Sequence, residues 1–352
     1  MNRSLKVAAA VSVASIALAA CGSNSSGDTP SAGAGGSAAG SAGGNVKVGM
    51  AYDVGGRGDQ SFNDSAAAGL DKAKSELGVA VKESTASAGE AESAREERLQ
   101  QLIEAGYNNI VAVGFAYAPS VAKVAKDNPE VKFALIDSTD AKGANIQNVV
   151  FSEQEGSYLA GVVAAKKSKT HHIGFVGGVQ TDLIKKFEAG YTAGAKATDP
   201  SIKVDVKYLT QPPDFSGFGD PAKGKTAAEG MLSSGADIVY HASGGSGAGV
   251  FTAVKAKPGA WAIGVDSDQA KTAAANVRDI ILTSVVKRVD VGVFEFIKQD
   301  KEGTFKSGEA VYDLKSNGVE LATTGNHIGD LKAELDKVKA DIIAGTIVVP
   351  SK

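Results

Sequence analysis

The sequence predicts an α/β protein made of two similar lobes with a cleft between them. After residue 45, short β-branched runs alternate with stretches of helical periodicity, a pattern typical of parallel sheets that helices cover on both faces. The chain also repeats itself, because segment 49–69, which contains Phe62, is echoed by segment 174–194, which contains Phe187. Two doubly wound sheets of about five strands each account for both observations.

Each half of the repeat predicts its own run of strands and helices. In the first half we expect strands at 46–51, 79–82, 109–113, 132–136 and 148–151, with helices at 65–77, 93–105 and 156–167. In the second half we expect strands at 172–176, 203–209, 237–241, 261–265 and 280–284, with helices at 182–197, 221–234 and 247–257. The tail predicts a helix at 289–299, a strand at 310–314 and a helix at 331–345. Leu99, Leu102 and Ile103, for example, share one face of the helix at 93–105.

Polar and glycine residues at the strand ends indicate where a ligand would bind. Asp53 follows the first strand and Asp137 the fourth, while Gly244-Gly245 and Asp266 hold the equivalent places in the second half. Open parallel sheets bind their ligands at the carboxyl ends of the strands. We therefore expect these residues to face one another across the cleft.

The chain is expected to cross between the lobes more than once. We assign residues 46–150 and about 285–305 to the first lobe, and residues 151–284 and about 306–350 to the second. Two lobes that are joined by several strands close on a ligand by bending at those strands. The sequence therefore predicts a hinge made of several strands.

The N-terminal region predicts export and a lipid anchor. Residues 1–20 combine a basic start with an apolar run, which is typical of a secretory signal and too short to span a bilayer as a stable helix. Cys21, the only cysteine, follows Leu-Ala-Ala, as in the bacterial lipobox, where cleavage leaves a lipidated cysteine. Segment 21–45 is rich in Gly, Ser and Ala, as flexible tethers are. We predict an outward-facing body anchored to the cell membrane; an ordinary cleaved signal with a chance cysteine is the alternative.

Composition argues against several functional classes. The net charge of −3 gives no electrostatic basis for binding nucleic acid. Four histidines and one cysteine form no metal-site pattern, and we expect no cofactor. Segment 219–226 spells the phosphate-loop pattern G-x-x-x-x-G-K-T, but nine residues that include Pro212-Pro213 separate it from the strand at 203–209. A working phosphate loop leaves its strand directly, so we expect an ordinary helix start there.

Three stretches of the sequence, GDQSFNDSAAAGLDKA, FVGGVQTDLIKKFEAGY and WAIGVDSDQ, carry a family resemblance. They are similar to the basic membrane protein (BMP) family, which comprises bacterial substrate-binding lipoproteins of ATP-driven (ABC) importers, and the resemblance covers residues 46–350. It implies a type I periplasmic-binding-protein fold, a nucleoside ligand, most of all a purine nucleoside, and a membrane permease with its ATPase as partners. We expect a monomer that is not an enzyme.

The resemblance also implies roles for individual residues at the ligand. Phe62 and Asn63 would contact the base, and Asp137 would accept hydrogen bonds from its N–H groups. Asp266 and Lys287 would bind the ribose hydroxyls. These roles suit the residues because aromatic rings stack on a purine and carboxylates accept from N–H and O–H groups.

The remaining assignments by resemblance concern the mouth and the walls of the cleft. Gly244 and Gly245 would lie near the ribose, and Asp53 at the mouth. Phe187 would supply the second aromatic wall.

Several alternatives stay open at this point. Phe215 or Phe218 could supply the second wall instead of Phe187. The same fold could bind another flat heterocycle such as riboflavin, or a sugar. In an enzyme that processes nucleosides, Asp137 and Asp266 would form an acid–base pair, but the sequence supplies no metal site and no activated nucleophile for it.

Overall fold

The computed structural model describes residues 46–352. The predicted signal sequence at 1–20, the lipidation of Cys21 and the tether at 21–45 lie outside the described residues. Within 46–352, no helix combines the length and the apolar character that crossing a membrane requires.

The first lobe contains a six-stranded sheet. Its strands are β1 (Lys47–Tyr52), β2 (Ala80–Thr85), β3 (Asn109–Ala112), β4 (Lys132–Ile136), β5 (Ile146–Phe151) and β11 (Gly308–Tyr312). They lie in the order β11-β5-β4-β3-β1-β2, and the pairings are parallel throughout. The helices that pack on this sheet are α1 (Phe62–Leu77), α2 (Glu92–Glu104), α3 (Ala118–Asp127) and α9 (Val289–Lys301).

The second lobe contains a sheet of the same size. Its strands are β6 (His172–Val179), β7 (Lys203–Thr210), β8 (Ile238–Ala242), β9 (Trp261–Asp266), β10 (Ile281–Lys287) and β12 (Val319–Leu321). They lie in the order β12-β10-β9-β8-β6-β7, and only the short β12 runs antiparallel to its neighbour. The helices of this lobe are α4 (Glu153–Lys167), α5 (Asp182–Thr198), α6 (Pro221–Ser233), α7 (Gly247–Lys255), the short α8 (Gln269–Thr272) and α10 (Lys332–Ile343).

The prediction of two α/β lobes with mostly parallel strands is confirmed. Each sheet has a sixth strand because the C-terminal part of the chain adds β11 to the first sheet and β12 to the second. The boundary that placed residues 306–350 in the second lobe is wrong for β11, which pairs with β5. Without β11, the edge of β5 would leave backbone N–H and C=O groups unpaired, and a local sequence pattern does not reveal a pairing between such distant segments. Helix α3 and strand β12 were not predicted.

Successive residues of the central strands pack on opposite faces of each sheet. In β3, Val111 joins a core that continues through both lobes, whereas Ile110 joins a core with α2 and α3. In β8, Tyr240 belongs to the continuous core and Val239 to a core with α6 and α7. Both sheets are therefore covered on both faces, as their apolar strands predict.

A repeated glycine allows close helix packing in each lobe. Gly69 lies in α1, where a Cβ atom would collide with the backbone oxygen of Asp290 in α9. Gly194 lies in α5, where a Cβ atom would collide with the backbone oxygen of Tyr158 in α4. The internal repeat therefore preserves the same close approach of two helices in both lobes.

The chain passes between the two sheets three times along its described part, after β5, after β10 and after β11. The crossovers lie side by side. The N–H of Ser152 donates to the carbonyl of Tyr312 at 2.9 Å, and the N–H of Arg288 donates to the carbonyl of Gly318 at 2.9 Å. The three crossovers thus form one hydrogen-bonded hinge region, where bending would move the lobes.

Candidate functional site

The carboxyl ends of the two sheets meet at one cleft. Gly245 lies beside the cleft, with Asp59 of the other lobe close to it. The other predicted ligand residues line the cleft; they are Asp53, Phe62, Asn63, Asp137, Phe187, Gly244, Asp266 and Lys287. Residues from both halves of the repeat therefore meet at one cleft. Lys287 joins them from the start of the second crossover.

Asp137 and Asp266 occupy matching positions at the ends of β4 and β9. Both have a left-handed backbone, with φ of 69° and 62°, a conformation that Asp adopts more readily than most residues other than Gly. Their exposure is small, 5% for the Asp137 side chain and 6% for Asp266. The same backbone turn thus presents a nearly buried carboxylate to the cleft from each lobe.

Lys287 ends β10 and places its ammonium group among acidic and aromatic side chains. The Nζ atom lies 2.6 Å from Oδ2 of Asp137 and 3.1 Å from Oε1 of Glu153. It also lies 5.1 Å from the ring centre of Phe62 and 5.7 Å from that of Phe187, within reach of a cation–π interaction. Burial opposes the charge of Lys287, but the two carboxylates outweigh burial and raise its pKa above the ordinary value.

The polar contacts group these residues differently from the predicted roles. Lys287 was expected beside Asp266 on the ribose, yet its direct partner is Asp137. Asp266 instead accepts a hydrogen bond of 2.5 Å from the hydroxyl of Ser61, across the cleft. The Oδ1 atom of Asp137 is buried and has no hydrogen-bond partner among the described residues, so it is an acceptor that a ligand N–H group can use.

Burial is the main influence on the acidic groups of the cleft. It raises the pKa of Asp53 to about 6 and that of Asp266 to about 7. It also raises the pKa of Asp137, although the charge of Lys287 opposes the change. A cleft with this many carboxylates and one buried ammonium offers mainly hydrogen-bond acceptors. It therefore suits a ligand that brings N–H and O–H groups and no negative charge of its own.

Asn63 uses its side-chain amide for contacts within the first lobe. Its Oδ1 accepts from the backbone N–H of Asp53 at 3.1 Å, and its Nδ2 donates to Oδ2 of Asp59 at 3.0 Å and to the carbonyl of Val54 at 3.3 Å. The amide thus shapes the loop before α1. A contact to a base, as predicted, would require one of these hydrogen bonds to be exchanged.

Aromatic rings from both lobes line the cleft. Phe62 begins α1 and Phe187 lies in the second turn of α5, and both side chains reach the cleft. Of the two competitors for the second wall, Phe218 lines the cleft and Phe215 does not. Phe215 instead packs edge-on against Phe115, with ring centres 5.6 Å apart. The second lobe therefore offers two candidate walls.

Some residues of the site were not predicted. Glu153 begins α4 after the end of β5, where the rule about strand ends applies, and it also accepts from Nζ of Lys186 at 3.2 Å. Asp59 and Ser61 lie in the irregular loop before α1, where no periodic pattern points to them. Leu183 is a further cleft residue at the start of α5.

The segment that spells a phosphate-loop pattern is a capped helix start. The Oδ1 atom of Asp220 accepts from the backbone N–H of Lys223 at 3.0 Å, and Pro221 is the first residue of α6. This arrangement is a typical N-cap followed by proline. The segment therefore has an ordinary structural explanation.

Comparisons with known proteins agree with this architecture. A family model described as ABC transporter substrate-binding protein PnrA-like matches residues 46–352. The chain is 36% identical to the ABC transporter nucleoside-binding protein BmpA of Lactococcus lactis over the full length of both chains. It is also 36% identical to basic membrane protein A of Borreliella burgdorferi, over 83% of this chain and 84% of that one.

Solved structures show the same fold. A crystal structure of ABC transporter system solute-binding proteins from Aeropyrum pernix K1 matches with a TM-score of 0.76 and 30% identity, over 87% of this chain and 94% of that one. A dimeric lac repressor matches with a TM-score of 0.58 and 15% identity, over 79% of this chain and 97% of that one. The second likeness concerns the fold alone.

Proposed function

This chain belongs to the PnrA-like (Bmp) family of ABC transporter substrate-binding proteins, and on that premise we propose that it captures a purine nucleoside between its lobes. Proteins of this family bind their substrate outside the cytoplasm and are not enzymes. One observation carries the proposal: aromatic walls and buried carboxylate acceptors line the same cleft, in a chain that is 36% identical to a nucleoside-binding protein.

In the proposed complex, the base lies against aromatic side chains of both lobes. Phe62 and Phe187 come from opposite lobes and approach the same ammonium group, that of Lys287. Stacking on an aromatic ring contributes about 1–3 kcal/mol per base. The Oδ1 atom of Asp137, which accepts no hydrogen bond from the described residues, would accept one from a ring N–H group.

The ribose lies on the side of the second lobe. Ser61 donates to only one carboxylate oxygen of Asp266, so the other can accept from a sugar hydroxyl. Gly244 has a φ of 54°, which costs a glycine little and lets the backbone approach a ligand closely. A ligand without hydroxyls would leave the second oxygen of this buried carboxylate without a hydrogen bond, and such sites discriminate strongly.

The proposal includes the anchor and the partners. A monomer that is lipidated at Cys21 would remain at the outer face of the membrane and pass the nucleoside to a permease that its ATPase drives. Replacement of Cys21 by Ser should move the protein from the membrane fraction to the soluble fraction. Persistence in a detergent-sensitive membrane fraction would contradict the lipid anchor.

Calorimetric titration of ligand-free protein tests the ligand class. Purine nucleosides should bind with micromolar affinity or better, about −8 kcal/mol or more favourable, whereas riboflavin and free ribose should not bind. The proposal is wrong if riboflavin or a sugar binds tightly and no nucleoside does. Chromatographic detection of free base after incubation would instead support the enzyme alternative.

A double-mutant cycle between protein and ligand tests the role of Asp266. If Asp266 binds the ribose, Asp266→Ala and removal of the 2′ and 3′ hydroxyls should each weaken binding about tenfold, and the two together by little more. Additive losses would mean that Asp266 does not contact those hydroxyls. Asp237→Ala is a suitable control, because the carboxylate of Asp237 accepts from Ser168 and Lys169 away from the cleft; it should leave affinity unchanged.

A further inference from the structure

Hydrogen bonds between protein groups hold the two lobes together along one side of the cleft. The hydroxyl of Ser61 donates to Asp266 at 2.5 Å, and the hydroxyl of Ser267 donates to the carbonyl of Ser61 at 3.1 Å. Nε2 of Gln269 donates to the carbonyl of Gln60 at 3.0 Å. We call these three contacts the latch. They join the loop before α1 in the first lobe to the segment from the end of β9 to the start of α8 in the second. They therefore exist only while the lobes are closed.

The half of the latch in the first lobe is held in place by its own loop. Gln60 has a φ of 57°, in the left-handed region, and its N–H donates to Oδ2 of Asp64 at 2.9 Å. The N–H of Ser61 donates to Oδ1 of Asp59 at 2.9 Å. These contacts fix the carbonyl groups of Gln60 and Ser61 before the second lobe arrives.

The half of the latch in the second lobe is also held in place, because hydrogen bonds within that lobe orient the side chain of Gln269. Its Oε1 accepts from the backbone N–H of Val265 at 2.8 Å and lies 3.0 Å from Nε2 of His241. Because the N–H of Val265 can only donate, the amide oxygen must face it, and the amide NH₂ must face the other lobe. Nε2 of His241 then donates its proton to Gln269, and Nδ1 accepts from the hydroxyl of Ser243 at 3.2 Å. The carbonyl of Gln60, which can only accept a hydrogen bond, therefore faces the NH₂ group of Gln269 in a fixed orientation.

The chemistry of His241 keeps this arrangement in one protonation state. The side chain is completely buried and packs edge-on against Phe251, with ring centres 4.9 Å apart. Burial lowers the pKa of His241 to about 4. The imidazole therefore stays neutral near pH 7 and continues to orient Gln269.

We propose that Gln269 is a positioning residue for closure and that, with Ser61 and Ser267, it determines how much of the protein is closed and how fast a bound ligand leaves. Gln269 does not line the cleft. It therefore affects binding through its hydrogen bond between the lobes and not through a contact with the ligand. The apparent dissociation constant rises as the closed fraction falls. The inference rests on the proposed function for the presence of a ligand, but closure itself can be measured without one.

Two variants each remove one contact of the latch. Gln269→Glu keeps an oxygen for Val265 and His241 but turns a second oxygen, in place of the donor, towards the carbonyl of Gln60. Ser267→Ala removes one donor from a half-buried position. Ser157→Ala is the matched control, because its hydroxyl bonds to Tyr240 at 3.1 Å inside the second lobe and makes no contact across the cleft.

Small-angle X-ray scattering of ligand-free full-length protein provides the first readout. Both latch variants should have a larger radius of gyration than the unmodified protein and the Ser157→Ala control, and saturating ligand should bring all four to the same value. Equal radii for all four ligand-free proteins would overturn the latch. If Gln269→Glu fails to fold, the comparison between Ser267→Ala and Ser157→Ala decides alone.

Stopped-flow dissociation of a bound purine nucleoside provides the second readout. The dissociation rate should rise about tenfold or more in Gln269→Glu and about two- to fivefold in Ser267→Ala, since each lost hydrogen bond shifts the closed fraction. Association rates should change little. Unchanged dissociation rates in both variants would contradict the inference. If no nucleoside binds any of the proteins, the proposed function fails, and the scattering comparison still decides the latch.

Discussion

The two lobes place an aspartate at the same point of the repeat and give it different partners. Asp137 of the first lobe contacts the ammonium group of Lys287, which also lies 3.1 Å from Glu153. Asp266 of the second lobe accepts from the neutral hydroxyl of Ser61. Because the backbone turn is the same, the difference arises from the segments that meet each carboxylate. A repeat therefore preserves the position of a charged group, while contacts from elsewhere decide whether the group is paired.

The largest expected effect comes from removing the charge that distinguishes the two aspartates. Lys287→Met would leave Asp137 and Glu153 buried without their shared cation. Breaking one side of a buried ion pair typically costs about 3–5 kcal/mol of the free energy of unfolding. Urea denaturation should show a loss of this size, together with loss of ligand binding.

Two further variants show whether the loss in Lys287→Met comes from the buried charges. The first is a comparison at an exposed lysine, and the second also neutralises the two carboxylates. Lys72→Met removes an exposed ammonium group that lies 4.1 Å from the ring centre of Phe294, and it should cost no more than about 1 kcal/mol. Combining Lys287→Met with Asp137→Asn and Glu153→Gln should restore part of the lost stability. A loss below about 1 kcal/mol for Lys287→Met alone would mean that the pair contributes little, as happens for exposed ion pairs.

The pH dependence of stability gives the next largest effect and isolates Asp266. Burial raises the pKa of Asp266 to about 7 in the folded protein, against about 3.9 in an unfolded chain. The folded state thus holds the proton more tightly, so Asp266 contributes stability at low pH that is lost as the pH rises from about 4 through 7. The free energy of unfolding of the unmodified protein, minus that of Asp266→Asn, should fall by at most about 1.4 kcal/mol per pH unit across this window.

Asp199 supplies a control of opposite sign. Hydrogen bonds from Ser201 and His171 lower the pKa of Asp199 to about 2. A carboxyl group with a depressed pKa contributes stability above its unfolded pKa and loses it only as the pH falls through the folded value. The difference between the unmodified protein and Asp199→Asn should therefore stay level between about pH 5 and 6, where the Asp266 difference falls. A level difference for Asp266→Asn as well would show that its carboxyl group is not perturbed by folding.

Much of the fold could be predicted because it depends on local patterns. Continuous apolar runs predicted the strands of both sheets except β12, and the rule about strand ends located Asp53, Asp137 and Asp266 at the cleft. The repeated glycines Gly69 and Gly194 are visible in the sequence, although their reason, a close helix–helix approach, is visible only in the structure. These features involve residues that are close in sequence or related by the repeat.

The parts that could not be predicted depend on contacts between distant segments. The partner of Lys287 lies 150 residues away, and either aspartate would have suited its charge. Strand β11 was predicted, but its sheet depends on which edge is left open by the other strands. Asn63 illustrates a further limit, because its amide could serve a ligand or its own loop, and only the positions of Asp53 and Asp59 decide between them.

The smallest expected effects concern the aromatic walls, where the lobes also differ. Phe62 and Phe115 of the first lobe line the cleft together with Phe187 and Phe218 of the second. Phe115 packs edge-on against both Phe215 and Phe218, so we expect Phe62 to be the stacking ring of the first lobe. In the second lobe, loss of Phe187 or Phe218 should be partly compensated by the other ring. Substitution by Leu keeps apolar volume and removes stacking. Phe62→Leu should therefore weaken nucleoside binding by about tenfold, within the range of about 1–3 kcal/mol per stacked base, and Phe187→Leu or Phe218→Leu by less.

Phe215 is the matched control for the walls, since it packs against Phe115 without lining the cleft. Phe215→Leu should change the dissociation constant, measured by calorimetry, by no more than about twofold, because no stacking on the base is lost. If Phe215→Leu weakens binding more than Phe187→Leu and Phe218→Leu do, the wall of the second lobe lies further towards the mouth of the cleft. Equal losses for Phe62→Leu and Phe187→Leu would instead mean that Phe218 does not compensate, and that each lobe contributes a single ring to the ligand.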